Sequence, residues 1–220
     1  ILKVIDYKPL GYPSLYGIKQ NSILGKAETF LTLDFPLIKE LKIKDVQFDV
    51  QADVDELKIA KLSENLSIAQ GSMNLSVNRQ GIIASGNIVL NDVDFAAKWT
   101  EDFTKSTEFP TTYIIAGDVE GDEWDKLFLP FEPYVEGPAH ANLTLQGKGA
   151  GLKTGTGSFA LSDSKVQFEP LGWVKAEGES ARADFTLRFD ENGTINVNDI
   201  SFVSDNMNSQ LQLVYDGERA

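Results

Sequence analysis

Apolar and polar residues alternate with a period of two along most of this chain. In residues 181–190, Ala, Phe and Leu occupy one set of alternate positions, and charged residues or Thr occupy the other. The same alternation recurs in residues 139–146 and 46–55. Successive side chains of a strand point to opposite faces, so this pattern is typical of strands with one buried face. It predicts an all-β chain.

Helical spacing is scarce. The strongest helix signal covers residues 122–128, where an acidic start precedes Trp124 and Leu127 and is followed by Pro130. A further turn of helix is expected near residues 36–41. The sequence therefore predicts one or two short helices in a chain of strands.

Short polar segments separate the alternating runs. Asn78-Arg79-Gln80-Gly81 and Asp190-Glu191-Asn192-Gly193 each lie between two such runs, and we expect positive φ angles at their glycines. Links of this length favour antiparallel pairing of consecutive strands. A longer stretch, residues 147–157, has five glycines in eleven residues and is expected to be a flexible connection. We place the domain boundary there, with a first β-rich unit over residues 1–150 and a second over residues 151–220 that continues the same sheet.

Charge and composition exclude several classes of function. The chain has 220 residues, with 20 basic and 33 acidic side chains and a net charge of −13. Such a surface repels the phosphates of nucleic acids and is not attracted to anionic lipid headgroups. There is no cysteine, so disulfides and thiolate chemistry are excluded. No apolar stretch is long enough for a membrane helix.

The residues that could carry catalysis form no recognisable site. The acidic cluster at residues 118–125 lacks the spacing of a calcium-binding loop, because Gly121 is at its fourth position and not its sixth. His140 lies on the polar face of a predicted strand without a nucleophile. The glycine-rich stretch lacks the Gly-Lys-Ser/Thr ending of a phosphate loop. We therefore expect no enzymatic activity, no metal and no cofactor.

The alternation itself is compatible with two architectures. One is a closed β-sandwich or barrel with an ordinary core. The other is an extended, curved antiparallel sheet that forms an open groove with an apolar concave face. Periodicity alone does not distinguish them.

Several segments resemble the AsmA-like proteins of Gram-negative envelopes, and the YhdP-type branch in particular. The resemblance extends over residues 11–213. The segments that carry it are Leu33-Asp34-Phe35-Pro36-Leu37, Leu41-Lys42 with the strand ending near Ile59, residues 86–99, Gly137-Pro138, residues 157–162, and Pro170-Leu171-Gly172-Trp173.

This resemblance implies a periplasmic segment of a protein anchored in the inner membrane. Its open apolar groove would shield phospholipid acyl chains during transport between the inner and outer membranes, and so help to maintain the envelope. Its partners would be those acyl chains and adjacent β-groove units of the same longer protein, with membrane contact made by parts outside this segment. The chain opens without an initiator methionine or a signal-peptide pattern, and we expect it to be a piece of that longer protein, with any targeting signal or anchor outside it.

The alternation nominates the residues that would line the groove: Leu31, Leu33, Val46, Phe48, Val50, Leu75, Val77, Ile88, Leu90, Phe95, Leu143, Leu145, Phe159, Leu161, Phe185, Leu187, Phe189, Leu211 and Leu213. The alternative function is a closed β-sandwich that acts as a structural or interaction module without a lipid ligand. A third, weaker alternative is a polysaccharide-active domain that uses Asp122 and Asp125.

Overall fold

Strands account for most of the fold. The computed structural model describes residues 23–40, 42, 45–62, 65–104, 106–129, 131–149, 151–190 and 194–215. Their strands are, in chain order, β1 (Ile23–Asp34), β2 (Gln47–Ile59), β3 (Ile68–Asn78), β4 (Gly81–Leu90), β5 (Val93–Asp102), β6 (Thr111–Val119), β7 (Val135–Glu136), β8 (Ala139–Lys148), β9 (Gly151–Ala160), β10 (Lys165–Phe168), β11 (Trp173–Lys175), β12 (Ala181–Phe189), β13 (Ile195–Ser204) and β14 (Asn208–Tyr215). The helical elements in the described part are α1 (Glu123–Lys126) and a 3₁₀ turn, Glu169–Leu171.

Eleven of these strands form one antiparallel sheet that does not close on itself. Its strand order is β1-β2-β3-β4-β5-β6-β8-β9-β12-β13-β14. The three short strands form a second sheet in the order β11-β10-β7. The prediction of an all-β chain with an open antiparallel sheet is therefore confirmed, and within the large sheet each strand pairs with the strands before and after it in chain order.

The described chain divides into two compact units. Unit 1 contains residues 23–90, 96–112 and 147–151. Unit 2 contains residues 91–95, 113–146 and 152–215. Each is described by itself below.

The helical segments are shorter than the sequence predicts. Helix α1 has four residues, with Asp122 at its N-cap and Leu127 at its C-cap. Residues 36–40 form no helix, and Leu41 lies outside the described residues. In the 169–171 segment the chain leaves the 3₁₀ turn through Gly172, whose φ of 61° is left-handed. The open sheet, rather than helical structure, therefore determines the fold.

The glycines do not act as the sequence predicts. The stretch 147–157 is no flexible connection, because Gly147 belongs to β8 and residues 151–157 belong to β9. Gly81 is not among the positive-φ residues. Its position requires glycine because a Cβ there would collide with the backbone oxygen of Glu101. The turns between strands that use positive φ include Asn91-Asp92, at 48° and 65°, and Gly149 between β8 and β9, at 60°. Residues 191–193 of the other predicted turn lie outside the described residues.

Candidate functional site

One face of unit 1 carries an apolar ladder that crosses four strands. The register places Leu31 opposite Val50, Val50 opposite Val77, and Val77 opposite Ile82. We call this surface the open face and define it by the residues in register on that side of β1–β4: Ala27, Thr29, Leu31, Leu33, Phe48, Val50, Ala52, Val54, Met73, Leu75, Val77, Ile82 and Ala84. The ladder forms because the register aligns the apolar positions of each strand with the apolar positions of the neighbouring strands.

The open face is only partly shielded from solvent. Leu31 and Leu33 on β1 expose 55% and 51% of their surface, and Phe48, Val50 and Val77 are half-buried. Its buried members are Ala52 on β2 and Ile82 and Ala84 on β4. A contiguous apolar surface of this kind marks a binding site more often than it marks ordinary protein surface.

The opposite face of unit 1 is held together by polar side chains, and we call it the polar face. Asn74 donates a 2.5 Å hydrogen bond to Asp53 and Ser72 donates one of 3.0 Å to Asp55. Gln51 donates to Asp49 on its own strand and to Ser76 on β3. The face also carries two exposed apolar side chains, Phe30 and Ile83. The polar ladder is where unit 1 presents its acidic surface to water.

In unit 2 the apolar face of the sheet is covered by aromatic rings. Trp124 of α1 is 1% exposed and packs edge-on against Phe131 and Phe159, at centroid distances of 5.5 and 5.4 Å. Phe159 in turn packs on Phe185 at 5.6 Å. The Nε1 of Trp124 is buried without a hydrogen-bond partner. Ring packing, and not hydrogen bonding, therefore holds this residue in place.

A second aromatic group joins the three-stranded sheet to strand β13. Phe168 of β10 lies between Tyr134, at 5.7 Å, and Trp173, at 5.9 Å. Trp173 and Phe168 both pack edge-on against Phe202 of β13, at 5.5 and 6.4 Å. We call Trp124, Phe131, Tyr134, Phe168 and Trp173 the aromatic cover of unit 2. The cover removes much of the sheet's apolar face in this unit from solvent.

A buried lysine fastens the turn that follows β9. Lys175 of β11 is fully buried, and its Nζ donates to the backbone oxygens of Leu161, Ser162 and Ser164 at 2.6, 3.1 and 2.6 Å. Burial lowers the pKa of Lys175, while the nearby carboxylates, led by Glu179, oppose that shift. Because each carbonyl oxygen is a strong acceptor, the lysine ties three residues of one turn to the small sheet.

The residues nominated for the groove occupy several environments. Leu31 and Leu33 are exposed, and Leu211 and Leu213 lie in β14 with side chains outside the described part. Four are buried: Ile88, Leu90, Phe95 and Leu161. The others are half-buried: Val46, Phe48, Val50, Leu75, Val77, Leu143, Leu145, Phe159, Phe185, Leu187 and Phe189.

These placements divide the nominated set between the two units. In unit 1 the register joins Leu31, Val50 and Val77 into one ladder, with Leu33 opposite Phe48. In unit 2 Phe159 and Phe185 pack with the aromatic cover. The structure therefore does not make one uniform surface of all the nominated residues.

The residues weighed for catalysis remain on the surface. His140 Nδ1 lies 2.7 Å from Asp118 Oδ1, and both side chains are at least half exposed. Within the described ranges, no group of three or more His, Asp or Glu residues could hold a metal ion. Asp122 forms an exposed ion pair with Lys126, 3.1 Å away and one helical turn on.

Alternation did not identify the aromatic cover or Lys175. The cover residues lie in segments that connect strands of the eleven-stranded sheet, where no period links them to the face that they contact. Lys175 follows Trp173 by two residues and so shares its side of β11, but a charged residue in such a position gives no sequence signal for burial. The one local clue is the clustering of aromatic residues in residues 124–134 and 168–173.

Compared with protein-family models, curated proteins and solved structures, the chain has no significant match. Among the described residues, no helix has the length and apolar character needed to cross a membrane.

Proposed function

We propose that this chain binds phospholipid acyl chains on the open face of unit 1, as a non-enzymatic periplasmic segment of an AsmA-like protein. The observation that carries the proposal is the four-strand apolar ladder whose outermost members, Leu31 and Leu33, expose more than half of their surface. In the proposal the segment works beside adjacent β-groove units, in a protein that is anchored in the inner membrane and moves lipid toward the outer membrane.

The energetics of an acyl chain favour such a surface. Exposing an acyl chain to water costs about 0.8 kcal/mol per CH₂ group, or about 13 kcal/mol for roughly sixteen carbons. Contact with Leu, Val and Phe side chains removes part of this cost. Because the bilayer interior is equally apolar, binding to the face is weak relative to the bilayer, which suits transfer better than storage. The headgroup remains in water and contributes little selectivity.

The experiment measures lipid bound to detergent-free protein by native mass spectrometry and lipid extraction. We expect co-purifying phospholipid in the wild type and its loss in Leu31→Asp and Leu33→Asp. Both side chains are already more than half exposed, so these variants are expected to keep the sheet. Circular dichroism checks that they do.

Ile83→Asp is the matched control. Ile83 lies in unit 1 and is 50% exposed, but the register places it opposite Ser76, on the polar face. The control removes a similar apolar side chain from the polar face instead of the open face, so lipid binding should persist. Lipid-free wild-type protein, or equal loss in all three variants, would contradict the proposal and favour an interaction module without a lipid ligand.

A further inference from the structure

Strand β1 has one unpaired edge in the described part of the chain. It is the first strand in the sheet order, and its one neighbour there is β2. Beyond a register shift between Leu24 and Lys26, its pairing with β2 is regular from Lys26 to Asp34. An exposed edge of this length presents a row of free N–H and C=O groups to which another strand can add.

The sequence of this regular stretch is complementary to itself when reversed. Its nine residues run Lys26-Ala-Glu-Thr-Phe30-Leu-Thr-Leu-Asp34, with a positive charge at one end, a negative charge at the other and Phe30 at the centre. In an antiparallel pair of identical strands centred on Phe30, Lys26 of each copy lies opposite Asp34 of the other. Opposite charges in directly facing positions stabilise a strand pair.

The twofold symmetry of such a pair restricts the registers in which the two strands can face each other. A twofold axis perpendicular to the sheet keeps each side chain on its own face, so that facing residues must both be even-numbered or both odd-numbered. Centring the pair on Leu31 would place Glu28 against Asp34, which is repulsive. Centring it on Thr29 would leave Lys26 opposite Thr32 and without a charged partner. The Phe30-centred register is the one of these three that pairs the charges.

We propose that β1 is a self-association surface, and that its partner is β1 of a second copy of this chain, antiparallel and centred on Phe30. In this dimer the two Phe30 rings meet on the polar face, where Phe30 is now 75% exposed. On the open face, Leu31 and Leu33 lie opposite Thr29 and Ala27 of the second copy. The two open faces then form one apolar surface, although the dimer itself does not depend on lipid binding.

The absence of cysteine from the sequence allows a direct test of the register. Residues that face each other across an antiparallel pair have Cα atoms about 4.5–5.5 Å apart, a span that a disulfide can bridge. We expect Phe30→Cys to form a covalent dimer under mild oxidation. Thr32→Cys, exposed on the same face of the same strand, is the control. Its two copies would be about 14 Å apart and would stay unlinked.

Charge reversal tests the same register without covalent chemistry. Sedimentation measurements should show about tenfold weaker dimerisation for Lys26→Asp and for Asp34→Lys, because each variant places two like-charged pairs across the axis. An equimolar mixture of the two variants should recover wild-type association, and so should the double variant. In the monomer Lys26 also pairs with Glu56, so Asp34→Lys is the cleaner single change.

Each outcome is decisive. Cross-linking at Phe30→Cys but not at Thr32→Cys, with recovery in the mixture, establishes the dimer. A wild type that stays monomeric at high concentration, as expected if residues 1–22 or another unit of a longer chain occupied the edge, overturns it. Dimerisation that is insensitive to both charge reversals would place the contact elsewhere and also overturn it.

Discussion

The same alternation of apolar and polar residues gives two different surfaces in the two units. In unit 1 it produces the open face, with Leu31 and Leu33 more than half exposed. In unit 2 it produces a face on which aromatic rings are packed, with Phe159 and Phe202 in contact with the cover. Period two thus specifies that a face is apolar, and other segments decide whether that face is buried.

The connections between strands account for this difference. In unit 1, β3 and β4 are joined by two residues, which leaves nothing to fold over the sheet. Among the described residues of its longer connections, Leu37 and Leu62 are 96% and 52% exposed and so do not pack on the face. In unit 2, residues 120–138 and 161–180 connect strands of the main sheet and carry the aromatic cover. A binding surface is therefore expected where such segments are missing.

The largest expected loss of stability follows from replacing Lys175, which holds the turn after β9 in unit 2. Lys175→Met takes the donor away from the backbone oxygens of Leu161, Ser162 and Ser164, although Ser162 keeps a 2.8 Å bond from the amide of Gly178 and Leu161 a 3.3 Å bond from that of Ser164. The loss of three hydrogen bonds from a charged, buried donor, together with the repacked stem, should lower the free energy of unfolding by about 4 kcal/mol. Urea denaturation measures it.

The control for that variant is Lys153→Met. Lys153 is an exposed lysine on β9 of unit 2, and its replacement should change the free energy of unfolding by less than about 0.5 kcal/mol. If both variants lose the same stability, the three carbonyl contacts of Lys175 have no special importance and the cover is held by its rings alone.

The next prediction compares the stability that one apolar side chain contributes on each of the two faces. Phe185→Ala removes a ring that packs on Phe159 in unit 2, and we expect a loss of about 3 kcal/mol. Leu31→Ala, on the open face of unit 1, should cost about 0.5 kcal/mol because that side chain is already largely in water. Denaturation of both variants checks the difference, and equal losses would show that the open face is covered in solution.

A smaller effect is expected at Gly157, under the ring of Phe185. A Cβ at this position would overlap that ring, so Gly157→Ala should force the ring to move and lower the free energy of unfolding by about 2 kcal/mol. Gly151→Ala is the control on the same strand but in unit 1, where the nearest atom to a new Cβ is the oxygen of Lys148 at 3.5 Å. It should be tolerated, and thermal unfolding distinguishes the two variants.

The sequence predicts the strands well because their signal is local. Each alternating run carries its own period, and the two-residue turn Asn91-Asp92 joins two strands through left-handed backbone without help from the rest of the chain. Helix α1 lies where the sequence predicts it but is shorter, because the acidic start is visible in the sequence, whereas the left-handed φ of 60° at Phe128, just after the helix, is not.

The cover could not be predicted, because it depends on contacts between segments far apart in sequence. Trp173 contacts Phe202, and Trp124 contacts Phe159, although several strands or turns separate each pair along the chain. The structure of the glycine-rich stretch, residues 147–157, could not be predicted for a similar reason. The number of glycines there predicts flexibility, whereas at Gly155 and Gly157 the missing Cβ makes room for the side chains of Leu145 and Phe185. Whether a glycine makes the backbone flexible or allows a side chain to pack against it depends on which residue lies next to it in the fold.

The smallest effect concerns how the stability of unit 2 depends on pH. Burial lowers the pKa of Lys175 below its ordinary 10.5, so the unfolded chain binds this proton more tightly than the folded chain does. The resulting penalty on the folded state is complete below the lowered pKa and is relieved as the pH rises to 10.5. The free energy of unfolding of the wild type, minus that of Lys175→Met, should therefore increase with pH across this window. Leu31→Ala removes no titrating group, so its difference from the wild type should stay constant. A wild-type difference that falls with pH would mean that the three carbonyl oxygens stabilise the ammonium more than burial disfavours it.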